Sequence, residues 1–366
     1  ITQPFETTTD PVTGVVTAGR CDTRVPAGSP PGTVASRPGG VCSLGTAGYA
    51  LLQQWAPVNP VFLSTTAKND YTYILPSLNL KLGLTEDVIM RFAASKVLTR
   101  PDSSYVRNFL NTGVDGNGQL NASVGNPFLK PATAWQFDLT AEWYFSRVGS
   151  LTFDAFYKDV KNFFFQSVVD FPITNNGITF PVSTRGPANY DGHGKIKGFE
   201  VAYQQTFDFL PGLLSGFGMN ANYSYVESSG LPNTFLNTGS PVNIGSIKPG
   251  NLPLEGLSKH NINATLFDEK GPISARVAYN WRSKFLLTAA DVIFPYTSIF
   301  NAATGQLDAS LFFNVTKNIK IGVQGVNLLN EVTKTLQAYT GDPSLLAPRS
   351  YFMNDRRYSF ILRGSF

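Results

Sequence analysis

Apolar and polar side chains alternate over long stretches of this chain. In TAWQFDLTAEWYF, apolar residues occupy every second position from Trp135 to Phe145, and polar residues such as Asp138 and Glu142 fill the positions between them. Successive side chains of a β-strand point to opposite faces, so this period predicts strands with one apolar and one polar face. PISARVAYNWR and QLDASLFFNV repeat the pattern.

Eleven such segments follow one another from residue 71 to the end of the chain. Each spans roughly 10 to 14 residues, longer than the common strands of soluble sheets and enough to cross a bilayer when tilted. The connections alternate between short and long, which is typical of outer-membrane barrels. A β-sandwich is the competing architecture, but its strands are shorter. We predict strands at 71–82, 88–98, 133–145, 150–163, 195–207, 215–227, 257–267, 272–283, 306–315, 320–329 and 356–366.

Composition favours an all-β chain and is compatible with a transmembrane β-barrel. Of the 366 residues, 42% are hydrophobic and only 15% are charged, against a usual charged share of roughly 25%. The 33 glycines and 24 prolines disfavour long helices. No window offers the ~18 consecutive apolar residues of a membrane helix, which excludes a helical membrane protein but not a transmembrane β-barrel. The net charge of +4 is spread without a basic run, so nucleic acid is not an expected partner.

The two cysteines, Cys21 and Cys42, lie in a stretch rich in Gly, Pro and Thr without nearby histidines. A disulfide that closes a loop is favoured over a zinc site or two free thiols, and it implies an oxidising compartment. If the last strand runs towards the periplasm, the strand at 71–82 runs the same way, because eleven antiparallel strands begin and end in one direction. Residues 1–70 are therefore expected to be an extracellular loop region that contains the disulfide.

The odd strand number and the final segment, RRYSFILRGSF, both predict a larger barrel. Bacterial barrels normally close with an even number of strands, so an odd number is expected before Ile1. The apolar positions of the final segment include Tyr358, Phe360, Leu362 and Phe366. A strand that stays apolar on one face to its last residue is expected to pair with a first strand, which removes the open edge, and to hold Phe366 in the inner aromatic girdle.

The order of these segments is similar to that of the C-terminal barrel of TonB-dependent outer-membrane receptors, particularly those of Xanthomonas-like and Caulobacter-like bacteria. The resemblance runs from about Tyr71 to Phe366. The family's plug domain, TonB box and N-terminal strands have no counterpart here, so residues 71–366 are expected to be the C-terminal portion of a barrel of about 22 strands. The segments that carry the resemblance are YILPSLNLKLGLTEDVIMRFAASKVLTRPD, GNPFLKPATAWQFDLTAEWYF, FDAFYKDVKNFF, KIKGFEVAYQQTF, GFGMNANYSYVES, ARVAYNWRSKFL, GVNLLNE and RRYSFILRGSF.

That resemblance implies active import of a scarce nutrient across the outer membrane of a Gram-negative bacterium, driven through TonB. It also implies partners: outer-membrane lipid, TonB through an N-terminal region, the barrel-assembly machinery, the nutrient and a surface lipoprotein. Tyr358, Phe360, Leu362 and Phe366 would form the assembly signal. The alternatives are a passive porin or structural barrel, an outer-membrane hydrolase such as a phospholipase, and a ferric-siderophore or peptide receptor of the same family.

The sequence has no pattern typical of catalysis, a cofactor or a metal site. His193 and His260 are the only histidines, and no Ser/His/Asp spacing accompanies them. DGHGKIKG at 191–198 lacks the spacer and ending of a phosphate loop, and DGNGQLNASVGN at 115–126 lacks the glycine and glutamate of a calcium loop. We expect no enzyme. Inward-facing charges suited to a hydrated plug are Asp138, Glu142, Asp154, Glu200, Arg276, Arg282, Asp308, Arg357 and Arg363.

The expected outside loops are rich in rings and amides and have no dense cationic patch for an anionic chelate. Aromatic faces pack on sugar rings while amides and charges bind hydroxyls, so an oligosaccharide is the expected nutrient, ahead of a ferric siderophore or a peptide. The group that the chain resembles is often associated with plant or algal oligosaccharides. The ligand-contact candidates are Trp55, Asp102, Tyr105, Arg107, Asn108, Tyr190, Tyr296 and Tyr351. Other loop rings and amides are Phe109, Phe235, Phe294, Tyr339, Asn111, Asn189 and Asn301.

Overall fold

The computed structural model describes residues 8–9, 13, 16–17, 50–51, 54–55, 66–114, 120–231, 252–289, 297–340 and 342–365. Cys21, Cys42, Phe235, Phe294, Tyr296 and Phe366 lie outside the described residues, so the disulfide and the roles of these four aromatic residues stay predictions. The described part of the chain is mainly β-strand, with a short 3-10 helix at Gly212–Gly216. No helix within it is long and apolar enough to cross a membrane.

The described residues form 21 strands. In chain order they are β1 (Thr8–Thr9), β2 (Val16–Thr17), β3 (Ser77–Gly83), β4 (Val88–Thr99), β5 (Leu110–Val114), β6 (Leu120–Val124), β7 (Ala132–Trp143), β8 (Ser150–Lys161), β9 (Phe164–Asn175), β10 (Ile178–Asn189), β11 (His193–Thr206), β12 (Phe217–Ser229), β13 (His260–Lys270), β14 (Ile273–Arg282), β15 (Phe285–Thr288), β16 (Ile299–Asn301), β17 (Thr304–Asn314), β18 (Ile319–Val326), β19 (Val332–Gln337), β20 (Ala347–Met353) and β21 (Arg357–Gly364).

Eleven of these strands form one antiparallel sheet, in the order β21-β18-β17-β14-β13-β12-β11-β8-β7-β4-β3. They are the eleven strands predicted from the alternation, and that prediction is confirmed. The strand ends differ from the predicted ones by up to six residues, at the start of β3, and two strands stop where the backbone leaves the extended region. β8 ends at Lys161 because Asn162 has a φ of +55°, and β18 ends at Val326 because Asn327 has a φ of +57°. Asn adopts this left-handed conformation more readily than most residues.

The eleven-stranded sheet has one apolar and one polar face. Residues directly opposite each other in an antiparallel pair share a face, and Leu139 of β7 lies opposite Phe92 of β4 and Ala155 of β8. Although these strands are in the body of the sheet, Phe137 is 40% exposed and Leu139 is 43% exposed. A large apolar face that no other layer covers is typical of a sheet that meets lipid.

Short and long connections lie at opposite ends of this sheet. The short ones define what we call the turn end, and they span 84–87, 144–149, 207–216, 271–272 and 315–318. The long ones define the loop end, and they span 100–131, 162–192, 230–259, 283–303 and 327–356. The separation of short from long connections is the one predicted from the sequence.

The long connections contain strands that the alternation did not predict. β15, β16, β19 and β20 form one four-stranded sheet, and β5, β6, β10 and β9 form another, in which β6 and β10 run parallel. β9 and β10 are joined by Asn176 and Gly177, with φ of +49° and +76°. Asn-Gly is the pair that tight hairpin turns favour, so a signal for this hairpin was present in the sequence.

The chain forms two compact units. Unit 1 draws on 1–70, 101–129 and 166–188, and unit 2 on 71–100, 130–165 and 189–366. Within unit 1, Trp55 packs edge-on against Phe180 with ring centroids 5.8 Å apart, and Ala122 and Val182 join the same buried cluster. Trp55 Nε1 donates to Ile173 O at 2.9 Å. This indole therefore links residues that are more than a hundred positions apart in the chain.

Candidate ligand-binding site

A cleft of about 290 Å³ opens at the loop end of unit 2. Gln306 of β17, Val326 of β18 and Arg357 of β21 reach it from the polar face of the eleven-stranded sheet, and Thr333 reaches it from β19. Its volume is close to the lower end of the ~300–1,000 Å³ range of small-molecule sites. The full lining is Thr304, Gln306, Val326, Asn327, Glu331, Thr333, Asn354, Asp355 and Arg357.

The turn that follows β18 positions the carboxylates of this cleft. Asn327 and Asn330 both have positive φ, +57° and +53°, which reverses the chain within NLLNE. Asn327 is 7% exposed; its Nδ2 donates to Asp355 O at 3.2 Å, and its Oδ1 accepts from Glu331 N at 2.8 Å. One buried amide therefore ties together the two segments that carry Glu331 and Asp355.

Asp308 orients a second amide beneath the same turn. Its carboxylate accepts from Gln306 Nε2 at 2.9 and 3.1 Å and from Asn327 N at 2.9 Å. Since the amide nitrogen of Gln306 is engaged, its Oε1 is left to accept a hydrogen bond from a ligand. Asp308 was predicted from the sequence as an inward-facing charge, but its contact with Gln306 was not predicted.

The charged groups of the lining are two carboxylates, Glu331 and Asp355, and one guanidinium, Arg357. The cleft therefore carries an excess of negative charge, which disfavours an anionic ligand. Carboxylates accept hydrogen bonds from hydroxyls and the guanidinium donates to hydroxyl oxygens. Together with the amides and threonines of the lining, these groups fit a neutral ligand that has many hydroxyls.

An exposed ring shares the face of β20 that continues the cleft. Phe352, which is 57% exposed, lies opposite Thr333 of β19, and opposite residues share a face. Tyr351, the candidate named from the sequence, lies opposite Lys334 and therefore belongs to the other face. Phe352 was not predicted from the sequence, because the register of β20 decides which of two adjacent rings faces the cleft, and no sequence pattern reveals that register.

In unit 1, the candidates Asp102 and Tyr105 lie in one turn, and Arg107 and Asn108 follow it in the chain. Asp102 Oδ1 accepts from Ser104 N at 2.7 Å, and Asp102 O accepts from Tyr105 N at 3.0 Å. The hydrogen bonds from Ser104 hold the pKa of Asp102 below its ordinary value. The guanidinium of Arg107 lies 5.0 Å from the ring centroid of Phe109. Asp102, Arg107 and the adjacent candidate Asn108 are exposed, and Tyr105 is half-buried.

Two other candidates are engaged in packing. Trp55 is 2% exposed, and its ring faces the buried cluster of unit 1 instead of solvent. Tyr190, in unit 2, makes an edge-on contact with Phe165 at 6.1 Å between ring centroids, and Tyr190 N donates to Phe163 O at 2.8 Å. A ligand contact for Trp55 would require this cluster to open.

The inward-facing charges predicted from the sequence all lie on the polar face of the eleven-stranded sheet. Arg91 donates to Glu142 at 2.8 and 3.3 Å, and Thr140 Oγ1 donates to Asp154 at 2.8 Å. Within the described ranges, no group of three or more His, Cys, Asp or Glu could hold a metal ion. The residues confirmed on this face are Asp138, Glu142, Asp154, Glu200, Arg276, Arg282, Asp308, Arg357 and Arg363.

An antiparallel sheet with an uncovered apolar face, tight turns at one end and long loops at the other is typical of the wall of an outer-membrane β-barrel. Residues 53–328, more than half of the chain, match the family described as "TonB dependent receptor-like, beta-barrel". The chain belongs to the TonB-dependent receptor family, which consists of transport receptors and not of enzymes. The resemblance inferred from the sequence is confirmed.

Solved receptors share the fold. The ferric enterobactin receptor of Pseudomonas aeruginosa is 16% identical, with a TM-score of 0.57 over 80% of this chain and 40% of that chain. The siderophore receptor PirA of Acinetobacter baumannii is also 16% identical, with a TM-score of 0.52 over 80% and 41%. The copper transporter OprC is 16% identical, with a TM-score of 0.50 over 79% and 39%. The chain thus spans about 40% of their length. No curated protein matches the sequence.

Proposed function

We propose that this chain forms part of the barrel wall of a TonB-dependent importer in the outer membrane of a Gram-negative bacterium. Family membership and the separation of short turns from long loops support this proposal. In this orientation the apolar face meets lipid, the loop end faces the outside and the turn end faces the periplasm. The role is transport and not catalysis. TonB would engage a region that precedes the barrel portion, and the assembly machinery would read the terminal strand.

The nutrient that the cleft supports best is an oligosaccharide or a similar neutral polyol. The single observation that carries this proposal is the lining of the cleft, in which amides and hydroxyls outnumber charges and the charges sum to a negative value. Gln306 Oε1 and the carboxylate of Glu331 would accept from sugar hydroxyls, and Arg357 would donate to them. Phe352 offers an apolar face at the edge of the same surface.

A ferric-siderophore receptor is the second candidate, because the names of two of the solved relatives state that function. Many ferric chelates are anionic, and the excess negative charge of the cleft works against them. A passive porin is less well supported, since the family is defined by TonB-dependent transport. The two importer hypotheses differ in their dependence on salt, because screening weakens only recognition that is driven by charge.

The test is a binding titration of the purified full-length receptor against neutral oligosaccharides and against ferric catecholate and hydroxamate chelates. We expect glycan binding that changes less than about twofold between 50 and 150 mM salt. Gln306→Ala should weaken it by about 2- to 10-fold, the value of one neutral hydrogen bond. Gln324→Ala is the matched control, because Gln324 lies on the same polar face, opposite Ser310, and is not part of the cleft lining.

Tight binding of ferric chelates without any glycan binding, and with a steep loss of affinity in salt, would overturn the oligosaccharide proposal while leaving the importer proposal intact. Equal effects of Gln306→Ala and Gln324→Ala would contradict the assignment of the cleft. A full-length protein whose nutrient uptake is unchanged when TonB is deleted would contradict TonB-dependent import itself.

A further inference from the structure

The apolar face of the eleven-stranded sheet carries charged side chains near the ends of its strands, among them Asp268 and Lys270 of β13 at the turn end. At the loop end of β8, β11 and β12, this face changes from apolar to charged. The register sets Asp159 of β8 opposite Lys195 of β11, and Glu227 of β12 opposite Lys197 of β11. We use the name lysine patch for the cationic residues at this place, which are Lys161, His193, Lys195, Lys197 and Lys259.

The polarity of the two faces of β11 inverts at the level of this patch. Lys195 and Lys197 occupy the apolar face, whereas Ile196 lies on the face that is polar elsewhere. The inner side is closely packed here, because a Cβ on Gly194 would lie 2.0 Å from Leu231, a buried residue. A strand that places lysines on its lipid side has left the hydrocarbon region, since charge inside that region is expensive.

Ion pairs hold part of the patch in place. The carboxylate of Glu227 lies 3.7 Å from Lys197 Nζ and 3.6 Å from Lys259 Nζ. Lys259 Nζ also lies 5.2 Å from the ring centroid of Tyr225, and the pKa of Lys259 is raised by Tyr225 and by Glu227. The side chains of Lys197 and Lys259 are still 61% and 49% exposed. One carboxylate therefore orients two ammonium groups without covering them.

The acidic residues of this region do not balance its positive charge. Asp159 lies 3.0 Å from His193 Nδ1, and Glu227 is shared by two lysines. Lys161 and Lys195 are exposed and take part in none of the ion pairs found among the described residues. At neutral pH the four lysines exceed the two carboxylates by two charges. An anion that approaches from the lipid side would compensate this excess.

An aromatic layer lies directly below the patch on the same face. Phe199 stacks on Tyr225 with ring centroids 5.5 Å apart and contacts Tyr223 edge-on at 5.9 Å. The hydroxyl of Tyr223 forms a hydrogen bond of 2.8 Å with His260 Nδ1. Rings with a polar tip favour the level where hydrocarbon meets headgroups. This layer therefore sets the height of the patch at the headgroups.

We propose that the lysine patch binds the phosphates of an outer-leaflet glycolipid, a lipopolysaccharide, whose acyl chains lie against the aromatic and apolar surface below. The inference rests on the proposed function, because that proposal sets the loop end outside. A free phosphate would use only the lysines. A lipid that carries phosphates on its headgroup uses both the lysines and the rings beneath them, which is why the adjacent surfaces favour a lipid.

The test uses the full-length receptor, purified in detergent and titrated with O-antigen-free lipopolysaccharide that retains its lipid A phosphates. Removing three lysines together, Lys195→Gln, Lys197→Gln and Lys259→Gln, should weaken binding roughly 100-fold, at about fivefold per lysine. Lys81→Gln, Lys158→Gln and Lys320→Gln together form the matched control. They remove the same charge from the polar face, and binding should be unchanged.

Folding is checked for each protein by the heat-dependent gel shift of a folded barrel. If the triple variant does not fold, Lys161→Gln with Lys195→Gln removes two exposed lysines that form no ion pair with any described residue, and should weaken binding roughly 20-fold. Equal loss in patch and control variants, or equal binding of dephosphorylated lipopolysaccharide, overturns the proposal, as does equal binding of inorganic phosphate. Nutrient uptake is measured separately. Nutrient uptake that does not depend on TonB, together with lipid binding that still depends on the lysines, contradicts only the proposed function.

Discussion

Two inward-facing glycines should respond differently to the same methyl group. Gly218 of β12 lies opposite Phe267 of β13, and a Cβ at Gly218 would lie 2.2 Å from Phe267 Cζ and 2.5 Å from its Cε2. Gly198 of β11 lies opposite Phe156 of β8, but the atom nearest to its Cβ is the backbone O of Tyr225 at 2.1 Å. A ring can turn away from a methyl group, whereas a paired backbone cannot.

The expected magnitudes follow from this difference. Each Gly→Ala change overpacks the sheet and should destabilise the barrel by about 1–3 kcal/mol. Phe267→Leu removes the obstructing ring atoms, so Gly218→Ala should become nearly neutral in that background, with a coupling energy of about 1–2 kcal/mol. Phe156→Leu leaves the carbonyl of Tyr225 in place. Its coupling with Gly198→Ala should therefore stay below about 0.5 kcal/mol.

Both double-mutant cycles are measured on the full-length receptor by urea unfolding in a lipid bilayer, with the heat-dependent gel shift as an independent measure of the folded fraction. Additive effects of Gly218→Ala and Phe267→Leu would contradict a clash between the methyl group and the ring of Phe267. Phe156→Leu should not rescue Gly198→Ala as fully as Phe267→Leu rescues Gly218→Ala. If it did, a ring contact would account for the destabilisation at both sites.

Two further predictions concern unit 1. Trp55→Ala should destabilise unit 1 by about 3–5 kcal/mol, because Trp55 belongs to its buried cluster, and the loss is measured as faster proteolysis of residues 166–188. Trp135→Ala, on the exposed apolar face of the eleven-stranded sheet, is the control. Equal effects of the two substitutions would contradict a core role for Trp55. Asp102 has a pKa below its ordinary value of 3.8, so its bond to Ser104 N is fully present above about pH 4 and is lost as pH falls through the folded pKa. Hydrogen-exchange protection of Ser104 should fall with pH accordingly, and an unchanged pH profile in Asp102→Asn would contradict this.

The eleven long strands were predictable because a sheet that is apolar on one face and polar on the other leaves a strict period of two in the sequence. Their ends were less predictable. At Asn162 and Asn327 the strand stops because a single residue turns to positive φ, and neither asparagine interrupts the alternation before that point. Asn176 next to Gly177 was the clearer signal, because the pair is specific to tight hairpins.

The short strands of the loop end left no comparable pattern. β16 has three residues, Ile299–Asn301, and all three are buried, so no polar face appears in its sequence. The cleft was also beyond sequence reasoning, because its lining is collected from Thr304 to Arg357 and depends on the register of β19 with β20. A strand covered on both faces loses the alternation from which the other strands were recognised.

At the loop end, the two faces of the eleven-stranded sheet carry different chemical groups, because alternate residues of a strand point to opposite faces. On β17 and β21 the polar face carries Gln306 and Arg357 into the cleft, and on β11 the opposite face carries Lys195 and Lys197 to the side that we propose meets lipid. Because the side-chain period of a strand is two, neighbouring residues serve opposite surfaces, so Ile196 is held inward by the same register that holds both lysines outward. The proposed recognition of a neutral ligand on one face and of an anionic lipid on the other can therefore coexist on one sheet, provided that its register is fixed. The continuous pairing of β8, β11 and β12 from the turn end to the patch supplies that condition.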